Sequence, residues 1–425
     1  MSQSSPSNKT LAKAIAVFGG AQAFSVLAAL VRVKFAAVYI GAVGVGLNAL
    51  YSTLTNLLST LMGCGLASSS VPLMCQSQGE EQLRAVSKLR LVGCLLSVFS
   101  VPVTMVVATF YGIEAMWLAL PVAAMVLSGI ETAVMKSLHA TRRLTVSLIV
   151  TAFFSVVFTV PFFVWLGIKG VIWAMVCTVT LSSLFTCLLG YGLCRVRPDL
   201  SLFDRQLWTQ VKPMFVLGGA FLVSGIMAQG VDLLNQLCLQ SVATLAAVGL
   251  YKAGYQLSIT YTGMIFTAIA NDFFPRLSGI VHDVDARNRL ITQQIRVLLV
   301  IVVLLILLFF VLVPWLVPLL FSQEFVPIIP MVRIAALSVI AKAVYMPMGY
   351  LPVALGRSWH FLMLEAVSWS LLACGVLSGY YIGGLTGVGY GMLLCHIFDL
   401  IFVWLFCRKV YGFRFFIPNS DPKTL

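Results

Sequence analysis

Ten ionisable side chains lie within stretches of sequence that are otherwise apolar. They are Arg32, Lys34, Glu131, Asp232, Lys252, Asp272, Arg333, Lys342, Glu365 and Asp399. A charge inside a bilayer costs roughly 2.5 kcal/mol or more, so such residues usually face a bundle interior or an aqueous cavity. Cations in such a cavity could bind an anion, and carboxylates could exchange a coupling ion.

The cations divide by their expected depth in the membrane. A rise of about 1.5 Å per residue places four of them in the outer third of their spans, with Asp232 at similar depth and Lys342 nearer the middle. These four are Arg32, Lys34, Lys252 and Arg333. Because Arg binds phosphate bidentately and Lys supplies a mobile charge, the set predicts a site for a diphosphate. Arg32 and Lys34 point in nearly opposite directions on a helix, so we assign Lys34 to the cavity and Arg32 to lipid headgroups.

Most of the carboxylates are expected in a different layer. In the inner third, together with His396, lie Glu131, Glu365 and Asp399. Asp272 is expected at the inner interface as a helix-end contact. Carboxylates in a low-dielectric interior can bind and release protons, so all five acidic residues are candidates for ion coupling. The alternative is that they join helices, and Asp232 could simply pair with one of the cations.

Twelve apolar spans must position these residues. Of 425 residues, 60% are hydrophobic and 10% charged, with a mean hydropathy of +1.01, which excludes a soluble domain and predicts an all-α polytopic membrane protein. Most spans exceed the ~20 residues that cross a bilayer. We predict them at 11–38, 41–74, 89–111, 115–138, 144–166, 170–194, 210–238, 245–275, 292–320, 327–355, 358–382 and 384–407.

The distribution of basic residues predicts the topology. Most of the 27 Lys and Arg residues, including Arg90 and Arg287, fall on one side if both termini are cytoplasmic, whereas the opposite loops hold one lysine, Lys169. The positive-inside rule therefore places both termini in the cytoplasm. The net charge of +13 needs no nucleic acid, because a basic rim facing anionic membrane lipid accounts for it.

The chain divides into two halves at the polar stretch 194–212. This predicts an N-terminal lobe, 1–200, and a C-terminal lobe, 201–425, with six spans each. The halves share weak repeats: "VGL" occurs at 45–47 and 248–250, and Pro72 and Arg84 correspond to Pro275 and Arg287. Two pseudo-symmetric six-helix lobes are typical of secondary transporters, whose substrate site lies between the repeats.

The sequence lacks the motifs that are typical of several kinds of catalytic, nucleotide-binding and metal site. No GxxxxGK[ST] loop, HExxH or GxSxG is present, and the ten cysteines are scattered without a CxxC pair. We therefore expect no metal and no cofactor. The outer loops are too short to carry the catalytic residues of a membrane glycosyltransferase, so transport is favoured over catalysis.

Three stretches resemble a known family: "KFAAVYIGAVGVGLNALYSTLTNLLSTLMGCGLA", "PRLS", and "LFSQEFVPIIPMVRIAALSVIAKAVYMPMGYLPVALGRSWHFLMLEAV". They resemble the polysaccharide (O-antigen, Wzx-type) flippases of the multidrug/oligosaccharidyl-lipid/polysaccharide (MOP) exporter superfamily. The resemblance implies alternating access that moves undecaprenyl-diphosphate-linked oligosaccharide, an O-antigen, common-antigen or capsule unit, across the bacterial inner membrane. It also implies coupling to a proton or sodium gradient. Cavity cations of the family correspond to Lys34, Lys252, Arg333 and Lys342, whereas Arg32 and Asp232 match no family position.

The resemblance also implies partners, and it leaves alternatives. A flippase would work beside a polysaccharide polymerase and a chain-length regulator. A multidrug exporter of the same superfamily is the first alternative, although its organic cations favour an acidic cavity and the outer layer here is cationic. The sister family that moves the peptidoglycan precursor commonly has two more helices. A membrane glycosyltransferase is the alternative from a different class.

Overall fold

The computed structural model describes residues 8–76, 79–196 and 205–415, and these residues form helices and turns without a strand. Their α-helices are α1 Asn8–Tyr39, α2 Gly41–Gly63, α3 Leu66–Gln76, α4 Glu80–Ala108, α5 Ala119–Ser137, α6 Thr141–Leu166, α7 Gly170–Leu193, α8 Arg205–Val242, α9 Leu245–Tyr255, α10 Tyr261–Ile280, α11 Val284–Leu320, α12 Ile329–Ala354 and α13 Ser358–Tyr411.

These helices account for the twelve predicted spans. The pair α2 and α3 forms one span, as does the pair α9 and α10, while α13 contains two helices that meet at Gly383 and Gly384. Among the described residues, eight helical stretches are by themselves long and apolar enough to cross a bilayer. The prediction of an all-α polytopic membrane protein is therefore confirmed.

The described residues divide into two compact units. The first comprises the described residues up to Leu233 with Leu320–Ser322, and the second comprises Leu234–Leu319 with the described residues from Gln323 onward. The lobe boundary predicted at residue 200 falls in 197–204, which lies outside the described residues. The division into lobes at that position stays a prediction.

The second span of each six-span set is interrupted. In the first unit, α2 ends where Cys64 and Gly65 adopt positive φ angles of 50° and 69°. A Cβ on Gly65 would lie 2.3 Å from the carbonyl oxygen of Gly218, so glycine lets α8 approach this break. In the second unit, the π-helical turn Gln256–Thr260 joins α9 to α10. Interrupted helices in corresponding positions of two repeats are typical of transporter binding sites, and the sequence analysis treated both spans as continuous.

The two helices of α13 are in backbone contact close to their turn. A Cβ on Gly387 would lie 1.9 Å from the carbonyl oxygen of Gly379, and a Cβ on Gly391 would lie 1.9 Å from that of Gly375. Small residues at such positions let membrane helices approach closely. Gly384, with φ at 58° and ψ at −142°, allows the chain to reverse between them.

The contact at Gly387 predicts a large cost for one added methyl group. We expect Gly387→Ala to destabilise the protein by about 1–3 kcal/mol, because backbone atoms of Gly379 must move to make room. Thermal unfolding of the detergent-solubilised protein measures the effect. Gly230→Ala in α8 is the matched control, since a Cβ there meets nothing within 4 Å. Equal melting temperatures for the two variants would contradict the packing.

The predicted topology can be tested with fusions. Green fluorescent protein joined to the C-terminus should fluoresce, and alkaline phosphatase joined there should be inactive, because both termini are expected in the cytoplasm. A phosphatase joined after the exposed Lys169, in the turn between α6 and α7, should be active. The opposite pattern of activities would invert the topology.

Candidate functional site

A cavity of about 410 Å³ lies within the second unit. Its walls come from α12, from both helices of α13, and from Tyr255 and Ile259 around the π-helical turn. We call it the C-terminal cavity. Its charged and polar lining residues include Lys342, Tyr345, Glu365, Ser368, His396 and Asp399. Four of these were singled out in the sequence analysis, which expected Lys342 nearer the middle and the other three in the inner third.

Helical spacing turns these side chains toward one space. Glu365, Ser368 and Trp369 are three and four residues apart on the first helix of α13, so they share one face. His396 and Asp399 are three apart on the second helix. Lys342 and Tyr345 have the same spacing on α12. Three helices thus each direct at least two polar groups to the cavity.

Hydrogen bonds hold both cavity carboxylates in place. Ser368 Oγ donates to Asp399 Oδ1 at 2.7 Å, and Trp369 Nε1 donates to Glu365 Oε2 at 2.9 Å. The phenol of Tyr345 lies close enough to Asp399 to interact with it. Asp399 is buried, whereas Glu365 is partly exposed. Both carboxylates are therefore oriented before any ligand binds.

The Lys342 ammonium lies in the same space as these carboxylates. Its Nζ is 5.9 Å from the centroid of the Phe266 ring, and Glu365 and Asp399 are the acidic groups that act on it. His396 Nδ1 lies 2.9 Å from the carbonyl oxygen of Met392, four residues earlier on its own helix. Across the described part of the chain, no three His, Cys, Asp or Glu residues are close enough to hold a metal ion.

Arg333 has a backbone partner. Its Nη2 donates to the carbonyl oxygen of Phe310 at 3.2 Å, and its guanidinium lies 5.9 Å from the Phe310 ring centroid. Pro314 has no N–H, so the carbonyl four residues before it cannot form its helical hydrogen bond. Arg333 supplies that missing bond. A role for Arg333 toward a diphosphate stays a prediction.

Lys34 also binds a backbone carbonyl. Its Nζ donates to the oxygen of Phe321 at 2.6 Å, directly after the end of α11 at Leu320. The last carbonyls of a helix have no helical partner, and a cation there is stabilised by the helix dipole. Lys34 and Arg333 are both predicted to face the substrate, and each also donates a hydrogen bond to a backbone carbonyl.

The remaining residues of the outer layer are placed as follows. The Lys252 ammonium lies 5.6 Å from the ring centroid of Tyr255, one turn later in the same helix. Asp232 Oδ2 accepts a hydrogen bond from Thr53 Oγ1 at 3.2 Å, which joins α8 to α2. Arg32 is partly exposed on α1. The functional roles assigned to these three residues stay predictions, and the side chain of Asp272 lies outside those that the structure describes.

Glu131 forms a buried bidentate ion pair with Arg90. Nε and Nη2 of Arg90 contact the two carboxylate oxygens at 2.6 and 2.7 Å. The same guanidinium donates to the carbonyl oxygens of Gly190, Cys194 and Val196 at 3.2, 2.6 and 2.7 Å. Arg90 thereby joins α4 to α5 and caps the end of α7. The distribution of basic residues placed Arg90 at the cytoplasmic rim, although the lone Glu131 in an apolar span is a sign that a cation lies nearby.

The second unit contains a similar arrangement. Arg287, near the start of α11, donates to the carbonyl oxygen of Val281 at 3.0 Å and to that of Tyr411 at the end of α13. Asn288 Nδ2 adds a bond to the Gly412 carbonyl at 3.4 Å. In both units an arginine of the third span donates hydrogen bonds to backbone carbonyls at the end of the last helix.

The family is decided by a comparison with known sequences. A family model described as "Polysaccharide biosynthesis protein" matches residues 44–330, well over half of the chain. The chain belongs to this family of polysaccharide biosynthesis proteins. The matched segment contains Glu131, Asp232 and Lys252, whereas most of the C-terminal cavity follows it. No curated protein matches the sequence at a significant level.

Solved structures show the fold of this polysaccharide biosynthesis protein. A multidrug resistance MATE family transporter of the MOP superfamily, in an inward-facing conformation, is similar with a TM-score of 0.76 at 14% identity, over 91% of this chain and 94% of that one. The lipid II flippase MurJ is similar with a TM-score of 0.66 at 14% identity, over 92% and 87%. A Vibrio cholerae MATE transporter is similar with a TM-score of 0.65 at 17% identity, over 95% of this chain and 98% of that one. The predicted fold, that of transporters of the MOP superfamily, is confirmed.

The buried ion pair of this family member predicts a specific loss of stability. We expect Glu131→Gln to cost about 3–5 kcal/mol, because it leaves the Arg90 charge buried without its counter-ion. The matched control is Glu80→Gln. It breaks an exposed pair with Arg84, 3.6 Å apart, and should cost less than about 1 kcal/mol. Denaturant unfolding in detergent compares the two; similar losses would show that the Arg90 pair is not structural.

Proposed function

We propose that the protein is a flippase that moves undecaprenyl-diphosphate-linked oligosaccharide across the bacterial inner membrane by ion-coupled alternating access. The observation that supports this most directly is the C-terminal cavity, with its ammonium, carboxylate and imidazole groups, inside a membrane protein of a polysaccharide biosynthesis family. Buried polar groups of this kind are costly in a bilayer and are retained where a polar substrate or ion passes.

The cations of the outer layer are the proposed ligands of the diphosphate. Because Lys34 and Arg333 already donate to backbone carbonyls, they offer fewer hydrogen bonds to a ligand. The Lys252 ammonium lies 5.6 Å from the ring centroid of Tyr255, at the end of a flexible side chain that carries a mobile point charge suited to a phosphate. Lys252 is the first residue to test, with Arg32 and Lys342 as further cations of the path.

The carboxylates are the proposed sites of ion coupling. Asp232, Glu365 and Asp399 accept hydrogen bonds from Thr53, Trp369 and Ser368, which orient the three carboxylates for a coupling ion. Glu131 is less suited, because Arg90 holds both of its oxygens. The energy source is a proton or sodium gradient, in keeping with the lack of an ATP-binding motif.

A multidrug exporter is the second candidate, and one observation favours it. Glu365 and Asp399 both line the C-terminal cavity, and paired carboxylates attract organic cations. Lys342 in the same cavity opposes this function, since it places a positive charge where the drug would bind. The flippase is therefore the stronger proposal, and it implies membrane lipid, a polysaccharide polymerase and a chain-length regulator as partners.

Translocation in proteoliposomes tests the flippase. Wild-type protein should move undecaprenyl-diphosphate oligosaccharide under a proton or sodium gradient, and Lys252→Gln should lower the rate at least about tenfold, because a charge-assisted bond to phosphate is lost. Lys169→Gln, at an exposed lysine between α6 and α7, is the matched control and should transport normally. Absence of transport by the wild type, with efflux of an organic cation instead, would favour the exporter.

A further inference from the structure

The C-terminal cavity combines three kinds of group that rarely meet inside a membrane helix bundle. Aromatic side chains of Tyr345, Tyr350 and Trp369 form part of its wall. Glu365 and Asp399 supply acceptors, and Lys342 supplies a donor. Aromatic faces with a few oriented polar groups are typical of a site for a small organic ligand.

We propose that the C-terminal cavity binds one uncharged pyranose unit of the glycan, the sugar attached directly to the diphosphate. This rests on the proposed flippase function and names the part of the substrate that this cavity recognises. A volume of about 410 Å³ lies toward the small end of the ~300–1,000 Å³ range of ligand sites, so it suits one sugar unit rather than a whole oligosaccharide.

The chemistry of a pyranose matches the lining. Its hydroxyl groups point outward around the ring, where they can donate to the Glu365 and Asp399 carboxylates and accept from the Lys342 ammonium. These bonds are charge-assisted and so are stronger than neutral ones. Its faces carry C–H groups, which pack against aromatic rings such as Trp369. A carboxyl group accepts a hydroxyl hydrogen bond in its ionised form and also in its protonated form, so sugar binding is compatible with ion exchange at the same groups.

The carboxylates are already oriented by protein groups. Ser368 holds one oxygen of Asp399, and Trp369 holds one oxygen of Glu365, which leaves lone pairs on each group for a ligand. Side chains fixed in this way lose little conformational entropy when a sugar binds. The Trp369 indole is fixed by the same bond, so its ring is ready to pack against the sugar.

Other ligands fit this lining less well. A diphosphate would meet two carboxylates and one ammonium, so like charges would repel it. Among the described residues no three acidic, His or Cys side chains come close enough to share a metal ion. A purely apolar molecule would remove water from the charged groups without replacing its hydrogen bonds.

Tyr255 connects this cavity with the proposed diphosphate site. One face of its ring lies under the Lys252 ammonium at 5.6 Å, and the residue also lines the C-terminal cavity. A diphosphate bound at Lys252 would therefore place the first sugar, and not a distal one, next to the cavity. Tyr255 is the last residue of α9, directly before the π-helical turn that starts at Gln256.

Two lipids separate sugar recognition from diphosphate recognition. The binding of undecaprenyl diphosphate bearing the host glycan is compared with that of bare undecaprenyl diphosphate, using the full-length protein in nanodiscs. We expect Glu365→Gln and Asp399→Asn to weaken the binding of the glycan-bearing lipid roughly ten- to a hundredfold. The affinity for the bare lipid should change by less than about twofold. Both substitutions keep an acceptor for Trp369 or Ser368. Trp369→Leu should act likewise, and Trp165→Leu, at an exposed tryptophan, should change neither affinity.

Each of the other possible results contradicts either the sugar site or the flippase function. If the substitutions weaken the binding of both lipids equally, or of neither, the proposed sugar site is contradicted, whereas the proposed flippase function is not. If the wild type binds neither lipid, the flippase function is contradicted. The free glycan, released from its carrier by mild acid, is then titrated into the protein while tryptophan fluorescence is measured. Quenching in the wild type that is absent in Trp369→Phe would still support the sugar site, whereas no quenching in the wild type would contradict it. Should Asp399→Asn not fold, Glu365→Gln and Trp369→Leu decide the outcome.

Discussion

A backbone carbonyl without a partner is expensive inside a membrane, because no water is present to bond it, and much of this structure answers that constraint. Prolines and helix ends leave such carbonyls in several spans. Four cations supply the missing donors: Lys34, Arg90, Arg287 and Arg333. Two of the cations predicted to meet the substrate, Lys34 and Arg333, thus also bond the chain itself. The other residues proposed for the substrate are Arg32, Lys252 and those of the C-terminal cavity.

Composition and span length predicted the fold correctly, because a bilayer accepts little besides helices of about 20 apolar residues. The interruptions within spans were beyond that reasoning. Neither the break at residues 63–65 nor the Gln256–Thr260 turn contains a proline, the residue that most often marks a kink in a sequence. At Gly65 close packing is visible as the approach of Gly218. Periodicity cannot show such contacts, because the two residues are far apart in sequence.

The candidate site was predicted in part. Depth along each helix brought Glu365, Asp399 and His396 into one layer, and all three line one cavity together with Lys342. Depth says nothing about the direction in which a side chain points. Glu131 was assigned to the same layer, yet it lies in the other unit and pairs with Arg90. Only the packing of α4 against α5 and α7 determines that partner.

The arginines that close the last helix of each unit also constrain how the chain is made. Arg287 is synthesised 124 residues before Tyr411, and Arg90 is synthesised 104 residues before Cys194. At a translation rate of about 5–20 residues per second, each guanidinium waits on the order of ten seconds for its carbonyls. Until then the last carbonyls of α7 and α13 lack the donors that they have in the folded protein. The folding of each unit is therefore completed only when its final helix is in place.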